Sequence, residues 1–110
     1  MQLNEYQERA ATTSGNIAVG GNTWLYPVLG LAGETGETVE KFKKIFRDNE
    51  GVLTDEKKEE IIKELGDVLW YLAEISRQIH VPLEIIAQTN LDKLASRKER
   101  GMIQGSGDNR

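Results

Sequence analysis

GLAGETGETVEKFKKIF (residues 30–46) has apolar residues at helical spacing, yet it carries Gly30, Gly33 and Gly36 and sets Glu34 and Glu37 one turn apart. Wound at about 100° per residue, Leu31, Val39, Phe42, Ile45 and Phe46 form one apolar arc, with Glu34 and Glu37 together roughly 120° from its centre. Each glycine costs a helix about 1 kcal/mol relative to alanine. A segment that accepts that loss beside two like charges reads as a site rather than as scaffold alone.

A second segment, EEIIKELGDVLWYLAEISRQI (59–79), repeats the arrangement. Ile61, Leu65, Val68, Leu69, Leu72, Ile75 and Ile79 make its arc, and Glu64 and Asp67 lie at the same offset on the same rotational side. Tyr71 follows Asp67 by one turn on that edge. Antiparallel helices joined by a short turn pack through their arcs, so the two acid pairs are expected to converge at the seam. Four clustered carboxylates repel one another unless a cation sits among them. Hard oxygen donors on mobile side chains suit Mg²⁺, with Mn²⁺ as a substitute.

Working outward, residues 2–13 read as a short amphipathic helix and 14–23 as a loop rich in Gly, Ser and Asn. The second helix runs from about Leu25 to Arg47 and is stopped by DNEG (48–51), with Gly51 near its C-cap. Thr54 reads as the N-cap of the third helix, which continues to about His80. Pro82 suits the first turn of a fourth helix ending near Arg100. No alternating strand pattern is present. The expected fold is all-α: a single domain, 1–110, built as a four-helix antiparallel bundle, completed by oligomerisation, with 101–110 as a flexible C-terminal tail.

The chain has 110 residues, a formal net charge of -4 and no cysteine. An acidic balance with mixed signs argues against binding a nucleic acid polymer. No apolar run approaches the roughly 20 residues of a membrane span, and MQLNEYQERA lacks the pattern of a secretory signal. The expectation is a cytoplasmic protein.

Several other residues invite a role. Asn90 falls inside the apolar arc of the fourth helix, among Leu83, Ile86, Ala87, Leu91 and Leu94, where an amide needs partners. Lys93, Arg97 and Arg100 share one edge of that helix, as phosphate ligands or as a basic edge favoured by the helix dipole. GSGDNR (105–110) lacks the GK[ST] ending of a P-loop, leaving Arg110 as its phosphate partner to test. An EF-hand fails because Phe46 stands where an acid is needed before Gly51. His80 reads as a helix-end residue, and Lys41 as an i, i+4 partner of Glu37. Trp24 and Trp70 lie off the apolar arcs and require cover from their own chain or from a second subunit.

GLAGETGETVEKFKK followed by KELGDVLWYLAEI resembles the MazG-like, all-α nucleoside triphosphate pyrophosphohydrolases. Their ExxE…ExxD signature is matched by Glu34-x-x-Glu37 and Glu64-x-x-Asp67, with 38–63 between. The opening NEYQERA and the closing RG-x-x-x-GSGDNR extend the resemblance over nearly the whole chain. It implies hydrolysis of a nucleoside triphosphate to the monophosphate and pyrophosphate with Mg²⁺, by a homodimer or homotetramer. It also implies metal binding by Glu34, Glu37, Glu64 and Asp67; the chemistry of water attack further needs a proton acceptor, for which Glu34 or Glu37 is the candidate. Substrate contacts are implied at Tyr71, Asn90 and Lys93, with Arg97 and Arg110 as further phosphate partners. Two rival readings keep the same acids: a non-catalytic nucleotide- or metal-binding regulator, and a helical interaction module.

Overall fold

The computed structural model describes all residues, Met1–Arg110. It is all-α, with α1 (Leu3–Ala11), α2 (Leu25–Asp48), α3 (Asp55–Gln78) and α4 (Leu83–Glu99).

The α2–α3 hairpin owes its sharp turn to two adjacent left-handed residues, Glu50 (φ 53°) and Gly51 (φ 77°). Both Asn49 N (3.0 Å) and Gly51 N (3.1 Å) donate to the Ile45 carbonyl, closing the end of α2. Thr54 then caps α3 as expected, its hydroxyl accepting from Lys57 N at 3.2 Å. Asp55 and Glu56 occupy the first turn, where the helix dipole favours acids. The short turn holds the two long helices side by side in a definite register, and that register positions the acids.

The other helix ends differ from expectation. His80 adopts a left-handed backbone (φ 62°), so α3 stops at Gln78. Pro82, with ψ 137°, is the N-cap of α4 and not part of its first turn. Pro82 supplies no side-chain cap, and α1 caps α4 instead. Gln7 Oε1 accepts from Leu83 N and Asn4 Oδ1 from Glu84 N, both at 3.0 Å. Gln7 Nε2 also donates to the Val81 carbonyl at 3.1 Å. The short first helix is thereby a clamp on the α3–α4 turn.

Loop 12–24 is similarly braced. Gly20 and Gly21 make a tight turn at φ 59° and 79°, closed by a single bridge between Val19 and Asn22. Asn22 Oδ1 accepts from Trp24 N and Leu25 N, each at 2.9 Å, and caps α2. The buried Glu74 carboxylate pairs with Arg77, which also donates to Asn16 Oδ1 at 2.6 Å and so ties the loop to α3.

The bundle is open. Helix α2 packs on α3, α1 lies against α3 and α4, and α2 does not meet α4. Only Pro27, Ile45, Ile61, Ala73 and Leu83 are buried apolar residues. The radius of gyration is 16.9 Å, against about 13 Å for a compact chain near this length. Much of each apolar arc read as core is uncovered: Phe46 is 72% exposed, Val39 61% and Leu91 59%. Asn90, read as inside the arc of α4, is exposed, as are Ile86, Leu91 and Leu94: α4 meets α1 and α3 but not α2, and of that arc only Leu83 is buried.

Candidate metal centre

Pairing α2 with α3 sets Glu34 opposite Glu64 and Asp67. One carboxylate oxygen from each of the three lies within 4.8 Å of the others. Glu34 and Glu64 are half-buried and Asp67 is exposed. Glu37 is exposed one turn along α2, outside this trio, although its charge reaches Glu34. Lys41 approaches across the seam to 3.9 Å from Glu64, rather than pairing with Glu37 as its spacing suggested.

The electrostatics carry the mark of crowded like charge. The Glu34 carboxyl is pushed above the usual carboxylate range, first by burial and then by the charges of Asp67 and Glu64, a hydrogen bond with Glu64, and Glu37. Three oxygen donors of one sign in a small space fit a hard divalent cation such as Mg²⁺ or Mn²⁺, which would relieve that repulsion. No nitrogen or sulfur ligand joins the group, so the donor set does not favour a softer metal.

Beside the acids is an open pocket of about 350 Å³ lined by Thr13, Glu34, Asp67, Trp70 and Tyr71. Its aromatic wall explains one of the three glycines. A Cβ on Gly30 would stand 2.1 Å from Cε1 of Tyr71, so the missing side chain seats the tyrosine ring rather than a triphosphate. Nothing lies within 4 Å of a Cβ built on Gly33 or Gly36. Trp70 meets Tyr71 edge to face, with centroids 5.0 Å apart and planes at 86°. Its Nε1 donates to Thr13 Oγ1 at 2.9 Å, so its cover comes from its own chain. Trp24 remains 46% exposed.

Tyr6 and Tyr71 both have raised phenol pKa values. Burial is the leading cause for each; Asp67 adds to the first, and Tyr26, Glu34 and Asp67 to the second. Both phenols therefore remain neutral donors beside the acids.

The remaining residues picked from the sequence lie elsewhere. Asn90 and Lys93 line a separate pocket of about 360 Å³ with Val81, Ile85, Ile86 and Thr89. Arg97 is buried and donates to the tail carbonyls of Gly107 and Asp108, while Arg110 is bound to carbonyls of the tail itself. The chain thus brings Glu34, Glu64, Asp67 and Tyr71 together and lines the acid pocket with none of Asn90, Lys93, Arg97 or Arg110. Sequence reasoning missed Thr13: read as the end of the first helix, it lies in the turn after α1, where helical phase does not fix its direction. Trp70 was noticed, but helical phase alone did not aim it at the acids.

The family model for the MazG nucleotide pyrophosphohydrolase domain matches residues 25–102. The chain is similar to the Gene 37 protein of Mycobacterium phage L5, being 54% identical over 85 residues, 77% of this chain and 75% of that one. No solved structure matches.

Proposed function

This chain belongs to the MazG nucleotide pyrophosphohydrolase family, and we propose that it hydrolyses an NTP or dNTP to the monophosphate and pyrophosphate with Mg²⁺, Mn²⁺ serving as substitute. The observation that carries this reading is the convergence of Glu34, Glu64 and Asp67 within 4.8 Å. A divalent cation held there supplies charge neutralisation on the phosphates and lowers the pKa of bound water.

The chain's own groups have distinct tasks on this reading. Glu34, Glu64 and Asp67 are the metal ligands, with Glu37 completing the acid set. Glu34 or Glu37 also takes the proton of the attacking water, Glu37 lying outside the trio and exposed. Tyr71 and Trp70 wall the substrate on one side. Asn90, Lys93, Arg97 and Arg110 bind the substrate from α4 and the tail.

Because those four do not line the acid pocket of their own chain, a second copy is assigned to bring them to it. The open apolar faces of α2 and α4 support a homodimer or homotetramer: Leu29, Val39, Phe46 and Leu91 are each about 60% exposed or more. Exposed apolar area of this extent marks an interface. The substrate is a free nucleotide and not a nucleic acid polymer, consistent with the net charge of -4. No helix is long and apolar enough to cross a membrane, and the cytoplasm, where nucleotide pools reside, is the assigned location.

The test is a panel of NTPs and dNTPs with and without Mg²⁺. Metal-dependent formation of monophosphate plus pyrophosphate is expected. Monophosphate plus two orthophosphates, or no turnover of any substrate, refutes the assignment; nucleotide binding without turnover replaces it with a regulatory role.

A further inference from the structure

The tail GMIQGSGDNR takes one definite path. Its three glycines, Gly101, Gly105 and Gly107, all adopt left-handed backbone, with φ of 67°, 130° and 88°. That conformation strains most other residues, so each glycine suits this particular loop. Met102 N donates to the Arg97 carbonyl at 2.7 Å and turns the chain back along α4. Arg110 then staples the loop to itself, donating to the carbonyls of Met102 (3.1 Å), Ile103 (2.9 Å) and Gly107 (2.6 Å). Arg100 Nη2 holds the Arg110 carbonyl at 2.7 Å.

This loop delivers one carboxylate to two cations. Asp108 Oδ1 lies 3.1 Å from Lys93 Nζ and 3.6 Å from Arg97 Nη2. Arg97 is only 5% exposed, and its Nη2 also donates to the carbonyls of Gly107 (3.2 Å) and Asp108 (2.8 Å). Its Nε is buried without a partner. A guanidinium fork beside an ammonium is the pairing that receives phosphate oxygens, and a carboxylate presents the same charge and acceptor geometry on a smaller body. The unpartnered Nε shows that Asp108 leaves donor capacity of this pair unused.

Lys93 and Arg97 are substrate-binding residues on the proposed function, and we propose that Asp108 occupies their phosphate seat as a built-in competitor until a phosphate-bearing ligand displaces the tail. The tail is suited to leave. Nearly all its side chains are exposed, so polar contacts hold it rather than burial, and its Asp108 is 84% exposed. Exposed ion pairs contribute little and are screened by salt. A ligand with more charge and more oxygens has the advantage at the same two cations. Asp108 remains charged through neutral pH, since the Lys93 hydrogen bond holds its carboxyl below the usual range. The inference deepens the proposed function, resting on it only for the natural ligand: the triphosphate or the pyrophosphate released from it.

Inorganic pyrophosphate, titrated calorimetrically without divalent cations, isolates the seat from the acid cluster, which repels free anions. The full chain is expected to bind it, and amides of 105–110 are expected to exchange hydrogen faster in the complex. Asp108→Asn is expected to tighten binding about two- to fivefold, the scale of one exposed ion pair, and Lys93→Gln to weaken it. Equal or weaker binding by Asp108→Asn, or slower exchange of the tail in the complex, overturns the competitor. Unchanged binding by Lys93→Gln overturns the seat. Should the chain turn over no nucleotide while these shifts are present, the pyrophosphohydrolase reading fails and the anion seat stands. Comparing pyrophosphate with a non-hydrolysable triphosphate distinguishes product from substrate as its occupant.

Discussion

The α2–α3 seam and the α4–tail segment each collect charge, but by different physical means. At the seam, three acids converge because two long helices share one register, and each side chain is where its helical phase puts it. On α4, the cations are organised by ten irregular residues that bend back through three left-handed glycines to deliver Asp108. The first arrangement concentrates like charge and calls for a cation from outside. The second neutralises its own cations and must release Asp108 before another anion enters. One half is poised for a ligand and the other holds a substitute.

The largest expected effect strikes the seam. Asp67→Asn removes an acid of the trio without removing volume, and is expected to lower turnover about 10³-fold or more, the scale of losing one preorganised electrostatic group, while far-UV circular dichroism stays unchanged. Full activity would detach the acids from the chemistry. Lys93→Gln makes the complementary lesion on the α4 side. Mixing the two inactive proteins is expected to restore roughly a quarter of wild-type activity if each site draws on two copies of a dimer. No recovery would place both halves of a site in one chain.

Next come the glycines of α2, where one substitution type separates two environments in the same helix. Gly30→Ala drives a methyl into the Tyr71 ring, 2.1 Å from Cε1. Overpacking of this kind costs about 1–3 kcal/mol, and chemical denaturation measures it. Gly36→Ala meets nothing within 4 Å and is expected to stabilise the helix by about 0.5–1 kcal/mol. A destabilised Gly36→Ala would reveal a neighbouring chain against that face.

These contrasts also locate what was legible in the sequence. The four helices and the convergence of Glu34 with Glu64 and Asp67 followed from periodicity, because a helix converts spacing directly into direction. The caps on α4 did not, since Asn4 and Gln7 act across about 80 residues of sequence. Nor did the use of Gly30: that it receives Tyr71 depends on the axial register between α2 and α3, which phase around either helix leaves undefined. Asn90 was misread as buried because an apolar arc in the sequence does not say which partner covers it. Lys41 chose Glu64 across the seam over Glu37 along its own helix for the same reason.

A smaller effect links the seam to pH. The Glu34 carboxyl is raised in the folded chain, so the native state holds a proton that the unfolded state releases. The contribution of Glu34 to metal-free stability is therefore fully present below the ordinary glutamate range and is lost as pH rises through the raised value. Mg²⁺ is expected to raise Tm by several degrees at pH 7–8 and by almost nothing near pH 4, followed by calorimetry. Asp67→Asn is expected to raise the metal-free Tm at neutral pH by easing the repulsion and to blunt the response to Mg²⁺. Equal metal responses at both pH values would remove the acids as ligands.

The most direct test is turnover in ¹⁸O-labelled water with Mg²⁺, resolving the products by mass. Attack at the α-phosphorus, guided by the acids of the α2–α3 seam, predicts one ¹⁸O in the monophosphate, none in the pyrophosphate, and loss of both products in Asp67→Asn. Label in the pyrophosphate, or undiminished labelling by Asp67→Asn, would contradict it.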